Sequence, residues 1–323
     1  MIILENRASS ILYNILMSIE DYKPFLMPSN VCPIVPITFL KARKAFEFVD
    51  ISETTFCIDE QSVIDRLRKR PGYYGGVLFV RTYGIEGSYE YFFKQIKEID
   101  EGIIIIDDKC LAMPDFSFDN NSLADITLFS SGYGKFVDLG YAGYAFINDK
   151  LKYHKWPASY NKKYLSEIIK AYKYAIENKK RFEYNDTDWL DNNKSLISFP
   201  AYQKLIAREI EENIKLKNLI NQIYVINLPS EIQLESKYQN WRFNILVPQK
   251  ELLLGNIFKN GLFASSHYAS LDGIFSSGKS LNAEKIHSNI INLFNDKYFS
   301  KEKAGKITDI VNEHISKYGT SIN

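Results

Sequence analysis

The chain has 323 residues, 46% hydrophobic and 24% charged, and its 40 Lys+Arg against 39 Asp+Glu leave a formal net charge of +1. That length can bury the cores of two subdomains, and a near-neutral balance without a basic block gives no electrostatic footprint for nucleic acid or a membrane surface. No apolar run approaches a membrane span, the N-terminus lacks a basic-then-apolar leader, and three cysteines and four scattered histidines show neither a disulfide framework nor metal-ligand spacing. The expectation is a reduced, cytoplasmic protein without a metal.

Residues 6–19 read as a polar NRASS followed by apolar residues at helical spacing. That predicts a helix whose start carries Ala8, Ser9 and Ser10. A helix start presents unpaired N–H groups and a partial positive charge, which suits a phosphate. A serine cap without a ligand is the simpler alternative. Residues 25–30 and 44–50 predict strands around a helix entered through Pro33, and Val63 to Arg68 predicts a further helix. GVLFV at 76–80 predicts a buried strand closed by Tyr83-Gly84, and residues 90–99 an amphipathic helix. The run IIIIDD at 103–108 predicts a strand covered on both faces, as in a parallel sheet, with two carboxylates at its carboxyl end. One of them reads as a helix cap, while a second, entering the interior, requires a cation.

Residues 124–143, ADITLFSSGYGKFVDLGYAG, carry the chemistry. A short apolar run predicts a strand, a loop of small residues follows from Ser130 to Gly134, and then comes Lys135. Small residues let backbone and hydroxyl groups approach a bulky anion, and a lysine held in such a pocket is the kind that forms Schiff bases. A phosphate-cradling P-loop is excluded, because Phe129 and Phe136 stand where its first glycine and its Ser or Thr belong. A surface charge is the plain alternative for any one lysine.

Beyond this, residues 144–147 predict a strand, 161–180 a helix, 185–193 an exposed loop and 201–224 a long connecting helix. Residues 241–247 predict a half-buried strand, 250–260 a helix ended by Gly261, and 283–293 and 301–314 two closing helices. The strand–helix rhythm of the first part implies an α/β layered domain, residues 1–200, followed by the linking helix and a small α+β domain, residues 201–323.

Taken in order, NRASSIL, MPSNVCP, FVDI, FCID, VLFVRTYG, IIDDKCL, LFSSGYGKFVDLGYAG, FASSHYASL and LNAEKIHSNIINLFNDKYFS resemble the DegT/DnrJ/StrS sugar aminotransferases. These are pyridoxal-phosphate enzymes of the aspartate-aminotransferase fold, type I. The resemblance implies a three-layer large domain with a mainly parallel sheet. It also implies transfer of an amino group, usually from glutamate, to a keto sugar that is nucleotide-linked and destined for polysaccharides or glycosides. It implies a two-fold homodimer with its sites at the interface.

By the same resemblance, Lys135 holds the cofactor covalently and Asp108 pairs with its pyridinium nitrogen. Ser130 binds its phosphate together with the backbone N–H groups of Ala8 and Ser9, and Gly140 and Gly143 belong to the loop after the lysine. Arg242, His267 and Tyr268 are the candidate substrate contacts, against the alternatives of a surface cation and a packed aromatic. The chain departs from the family at several cofactor-lining positions. Leu111 replaces a glutamine, and neither Val31 nor Cys32 is the usual ring-stacking aromatic. Gly140-Tyr141-Ala142-Gly143 replaces GEGG, residues 193–195 only approximate the partner-subunit Asn-x-Arg, and an N-terminal arm of several tens of residues is expected to be missing. These departures define the competing reading, a non-catalytic relative acting as a binding or assembly subunit. A sugar dehydratase is disfavoured because it carries histidine in place of the lysine.

Overall fold

The computed structural model describes residues 1–117, 122–193 and 197–322. Its first half alternates strands and helices: β1 (Ile2–Glu5), α1 (Ala8–Ser18), β2 (Phe25–Pro28), α2 (Ile34–Lys41), β3 (Phe46–Val49), α3 (Glu60–Lys69), β4 (Gly76–Val80), α4 (Glu90–Ile99), β5 (Ile104–Asp108), β6 (Ile126–Ser130) and β7 (Gly143–Ile147). They form one sheet in the order β1-β7-β6-β5-β4-β2-β3. The strands from β3 to β6 run parallel, and β7 lies antiparallel to both β6 and β1.

Alternation along the strands divides the interior into layers. Leu78, Val80, Ile106 and Leu128 face a core built with α1 and α2, while Val77, Phe79, Ile103 and Ile105 face a second core built with α3 and α4. With both faces covered, the isoleucine run of β5 is the near-continuous apolar strand that a parallel sheet requires. The carboxyl ends of β4, β5 and β6 therefore lie along one edge, where such sheets hold ligands.

The chain continues through α5 (Lys162–Glu177) and α6 (Phe199–Asn227) into β8 (Phe243–Leu246), α7 (Lys250–Lys259), β9 (Ala264–Ser265), α8 (Leu281–Asn289), β10 (Ile290–Leu293) and α9 (Lys301–Tyr318). Here a three-stranded antiparallel sheet, β8-β10-β9, carries its own core. The helix α6 joins the two parts. Its Tyr202 and Ile206 pack on Phe129 and Tyr144 of the large sheet, and its Ile220 and Tyr224 pack on Phe243 and Ile291 of the small one.

Four expectations are corrected. Residues 283–293 are not one helix, because Ile290 turns extended and Ile290–Leu293 forms the central small-sheet strand. The apolar spacing there fits either period, and pairing with two neighbours decides it. The segment 241–247 is buried on both faces rather than half-buried. The loop 185–193 is not exposed throughout: Trp189, Leu190, Asp191 and Asn192 are buried against α1, where Asn192 exchanges side-chain hydrogen bonds with Asn14. The edge strand Ile2–Glu5 was not anticipated, since its register with β7 is a long-range pairing. No helix among the described residues is long and apolar enough to cross a membrane.

One buried amine ties α6 to the small part. Lys217 of α6 is 4% exposed and donates to the carbonyl of Trp241 (2.7 Å) and to Asn295 Oδ1 (2.9 Å), with no carboxylate in ion-pair range among the described residues. Burial pushes its amine down to about 7, against an ordinary 10.5. Between those values the unfolded chain binds the extra proton, so stability rises with pH. Wild-type stability from urea titrations is expected to climb between roughly pH 7 and pH 9, and Lys217→Met to flatten the slope by up to about 1.4 kcal/mol per pH unit. Equal slopes in the two proteins would show that Lys217 keeps its charge in the fold.

Candidate active site

The two carboxylates at the end of β5 point to opposite faces of the sheet. Asp107 is held by Arg81, whose Nε and Nη2 donate to its two oxygens at 2.8 Å each, both residues being buried. Asp108 has no such partner. It is buried, accepts the backbone N–H of Cys110 at 2.9 Å, and has no cation in ion-pair range among the described residues. Burial raises its carboxyl above the ordinary range, opposed by Cys110 and by the nearby ammonium of Lys135. A buried carboxylate left in this state calls for a positively charged ligand group.

Lys135 lies in the loop after β6, which is closed on itself. Asp138 accepts the N–H groups of Gly134 (2.8 Å) and Gly140 (2.9 Å), and the Ser131 hydroxyl bonds the Tyr141 carbonyl (2.7 Å) and the Tyr202 hydroxyl (2.9 Å). Gly134 and Gly140 adopt φ of +66° and +75°, the left-handed region that glycine occupies without strain. The half-buried lysine is close enough for its charge to act on Asp108, Cys32, Cys110 and His267. Among the described residues no carboxylate forms an ion pair with it.

Ser130 ends β6 nine-tenths buried; its oxygen accepts the Gly132 N–H at 3.2 Å, and its own proton has no acceptor among the described residues. Beside it α1 begins. The first helical bonds run from Ser10 and Ile11 to the Arg7 carbonyl, which leaves the Ala8 and Ser9 N–H groups without intrahelical partners. β7 reaches this helix start through Gly143, where a Cβ would stand 2.6 Å from the Ala8 nitrogen.

From the small sheet come the remaining candidates. Arg242 is 7% exposed, and its guanidinium packs on the rings of Phe294 and Trp241, donates to the Ser265 hydroxyl and lies beside Gly134. It has no carboxylate in ion-pair range among the described residues, and burial lowers it to about 10. It is not the surface cation that the sequence allowed. His267 and Tyr268 stack on each other and on Trp241, with ring centroids 5.0 to 6.1 Å apart. Packing and then the cations Arg242 and Lys135 push the His267 imidazole down, although the residue keeps an exposed side. Burial raises the Tyr268 phenol.

Lys135, Asp108, Tyr268 and His267 are thus within electrostatic reach of one another, with Arg242 beside the lysine loop, and the pairing of Ser130 with Gly143 brings it to the helix start at Ala8 and Ser9. Val31 and Leu111 are placed in the two cores of the large sheet, 1% and 4% exposed. Of the residues 193–195, Lys194 and Ser195 lie outside the described residues. Sequence reasoning missed Trp241, whose indole N–H donates to the Gly134 carbonyl at 2.6 Å. It also missed the thiols of Cys32 and Cys110 as neighbours of Lys135, and Arg7. The only sequence signal for them was adjacency to singled-out residues. A separate cavity of about 500 Å³ opens on the other face of the sheet, lined by Arg81, Asp107 and Lys109, but its buried charges already pair with each other.

No family model matches the chain, and no curated protein matches it. Among solved structures, it is similar to a DegT DnrJ EryC1 StrS aminotransferase from Brucella abortus, at 16% identity and TM-score 0.68, covering 97% of this chain and 85% of that one. It is similar to NtdA from Bacillus subtilis with bound cofactor PMP, at 19% and 0.66, covering 98% and 73%. It is also similar to DesI in the presence of its TDP-sugar product, at 13% and 0.71, covering 98% and 81%. The likeness is one of fold, and the architecture is that of the type I pyridoxal-phosphate transferases.

The packing of β7 on α1 makes a stability prediction. Gly143→Val is expected to lower stability by about 1–3 kcal/mol, since the obstructing atoms are backbone. Gly255→Ala in α7, with nothing within 4 Å of the new methyl, is expected to gain about 0.5–1 kcal/mol. Urea midpoints of both variants check this; a neutral Gly143→Val would contradict the close approach.

Proposed function

We propose that the chain is a pyridoxal-phosphate-dependent aminotransferase that moves an amino group, from a donor such as glutamate, to a keto sugar. The observation that carries this is the buried, cation-free carboxylate of Asp108 within electrostatic reach of Lys135, at the ligand edge of a type I transferase fold. The residues fit the cofactor at both ends: Asp108 suits a protonated ring nitrogen, and the Ser130 hydroxyl with the open N–H groups of Ala8 and Ser9 suits a phosphate. When bound, pyridoxal phosphate supplies a carbonyl that takes up an amine and a ring that accepts electrons.

The protein supplies the rest. The Lys135 amine would hold the cofactor and, once freed by the donor, would act as the general base that takes the donor Cα proton onto its own nitrogen. Asp108 would pair with the ring nitrogen and favour its protonated form. Arg242, desolvated and without a carboxylate of its own, binds a donor carboxylate or an anionic sugar group, while His267 and Tyr268 present stacked rings to the sugar. Val31 and Leu111 bound the site from the two cores. Residues 1–200 form the cofactor-holding part and 201–323 the substrate-facing part. The active form is a cytoplasmic two-fold homodimer, and the sugar is nucleotide-linked, a reading supported by the likeness to DesI, solved in the presence of its TDP-sugar product.

The test is a single-turnover assay with cofactor-loaded protein and glutamate, measuring 2-oxoglutarate. One equivalent per site is expected from wild type, none from Lys135→Ala, and a rate lowered about a hundredfold or more in Asp108→Asn. Loaded wild type that leaves glutamate unchanged, or a Lys135→Ala protein that keeps the rate, would refute the proposal.

A further inference from the structure

Arg7 occupies the N-cap position of α1 in extended conformation, and its side chain makes no capping bond. Instead it runs toward the lysine loop. Its Nη1 donates to the Gly140 carbonyl at 2.7 Å, and its guanidinium stands 5.7 Å from the centre of the Tyr133 ring. The same nitrogen lies 3.9 Å from the place where a Cβ on Gly132 would be, and that place is 3.4 Å from Ser130 Oγ. Arg7 is therefore a neighbour of the Ser130 hydroxyl as well as of the helix start.

Its bonding is far from complete. A guanidinium carries five N–H donors, and among the described residues it makes one hydrogen bond. Among the described residues no carboxylate comes within ion-pair range of it. The acidic groups nearby are committed elsewhere: Asp138 accepts the N–H groups of Gly134 and Gly140, and Asp191 accepts from the side chains of Asn6 (2.9 Å) and Asn193 (2.7 Å). Gly140, fixed through its own N–H by Asp138, in turn holds Arg7 at the rim.

We propose that Arg7 is the cation that binds the phosphate group of the cofactor, completing a site formed by the Ala8 and Ser9 N–H groups and the Ser130 hydroxyl. This rests on the cofactor reading of the preceding subsection. The other donors at this site are neutral, and a phosphate monoester brings nearly two negative charges. A guanidinium with unused donors in a fixed fork is the group that offsets them, and its charge-assisted bonds are about twice as strong as neutral ones. The placement is also economical: the residue before the helix puts charge and helix dipole on the same ligand atoms.

The experiment compares wild type with Arg7→Gln, which retains a donor for the Gly140 carbonyl and loses the charge. Each protein is titrated with pyridoxal phosphate and with pyridoxal, which lacks the phosphate, following visible absorbance and tryptophan fluorescence. Arg7→Gln is expected to weaken pyridoxal phosphate binding by about tenfold to a hundredfold while leaving pyridoxal binding unchanged. If the variant binds pyridoxal phosphate like wild type, or loses both ligands by the same factor, Arg7 only braces the Gly140 carbonyl and the inference is wrong, with the aminotransferase reading intact. If wild type takes up neither ligand, that reading falls and this inference falls with it.

Discussion

Two adjacent carboxylates at the end of a buried strand are costly, and the rest of the structure answers that cost. Born desolvation of a single carboxylate runs to several kcal/mol even after relaxation. The sheet's alternation separates the pair, so each must be compensated on its own face. On one face Arg81 reaches across from the end of β4 and takes Asp107 with two parallel hydrogen bonds. On the other face Asp108 is left with one backbone N–H and a lysine nearby, a charge the fold holds without neutralising. Asp107 is thus structural and Asp108 is available for chemistry, although nothing in their types distinguishes them.

The lysine loop is tied to both halves of the chain. Asp138 and Ser131 close it from within, Tyr202 of α6 anchors Ser131, and Trp241 at the start of β8 holds the carbonyl preceding Lys135. Trp241 itself is fixed through its carbonyl by Lys217 and through its ring by stacking on Tyr83. A movement of the small sheet relative to α6 would therefore reach Lys135 through two hydrogen bonds. Placing Arg242 next to Trp241 in sequence puts a desolvated guanidinium on the same junction, so Arg242 and the lysine loop share a support.

Much of this was legible in the residues. GVLFV and the helix after it appear with the boundaries that periodicity assigned, whereas the pairing of Asp108 with Lys135 was implied by the family resemblance, and the parallel neighbours β5 and β6 are what bring the two segments together. What was not legible depends on distant partners. The sorting of Asp107 from Asp108 needed Arg81, 26 positions away in the chain. The strand Ile290–Leu293 carries a pattern that fits a helix equally well, and pairing with β8 and β9 decides it. The loop around Trp189 is polar in composition, but Trp189 packs in the core that α1 helps build and Asn192 pairs with Asn14 of α1. Arg7 was not singled out, because nothing local marks the Gly140 carbonyl as its acceptor.

The most direct measurement is reduction of the cofactor-treated protein with borohydride, followed by peptide mass mapping. The account predicts a single pyridoxyl group, on Lys135. A group found on another lysine, Lys217 included, or no covalent adduct at saturating cofactor, would contradict it.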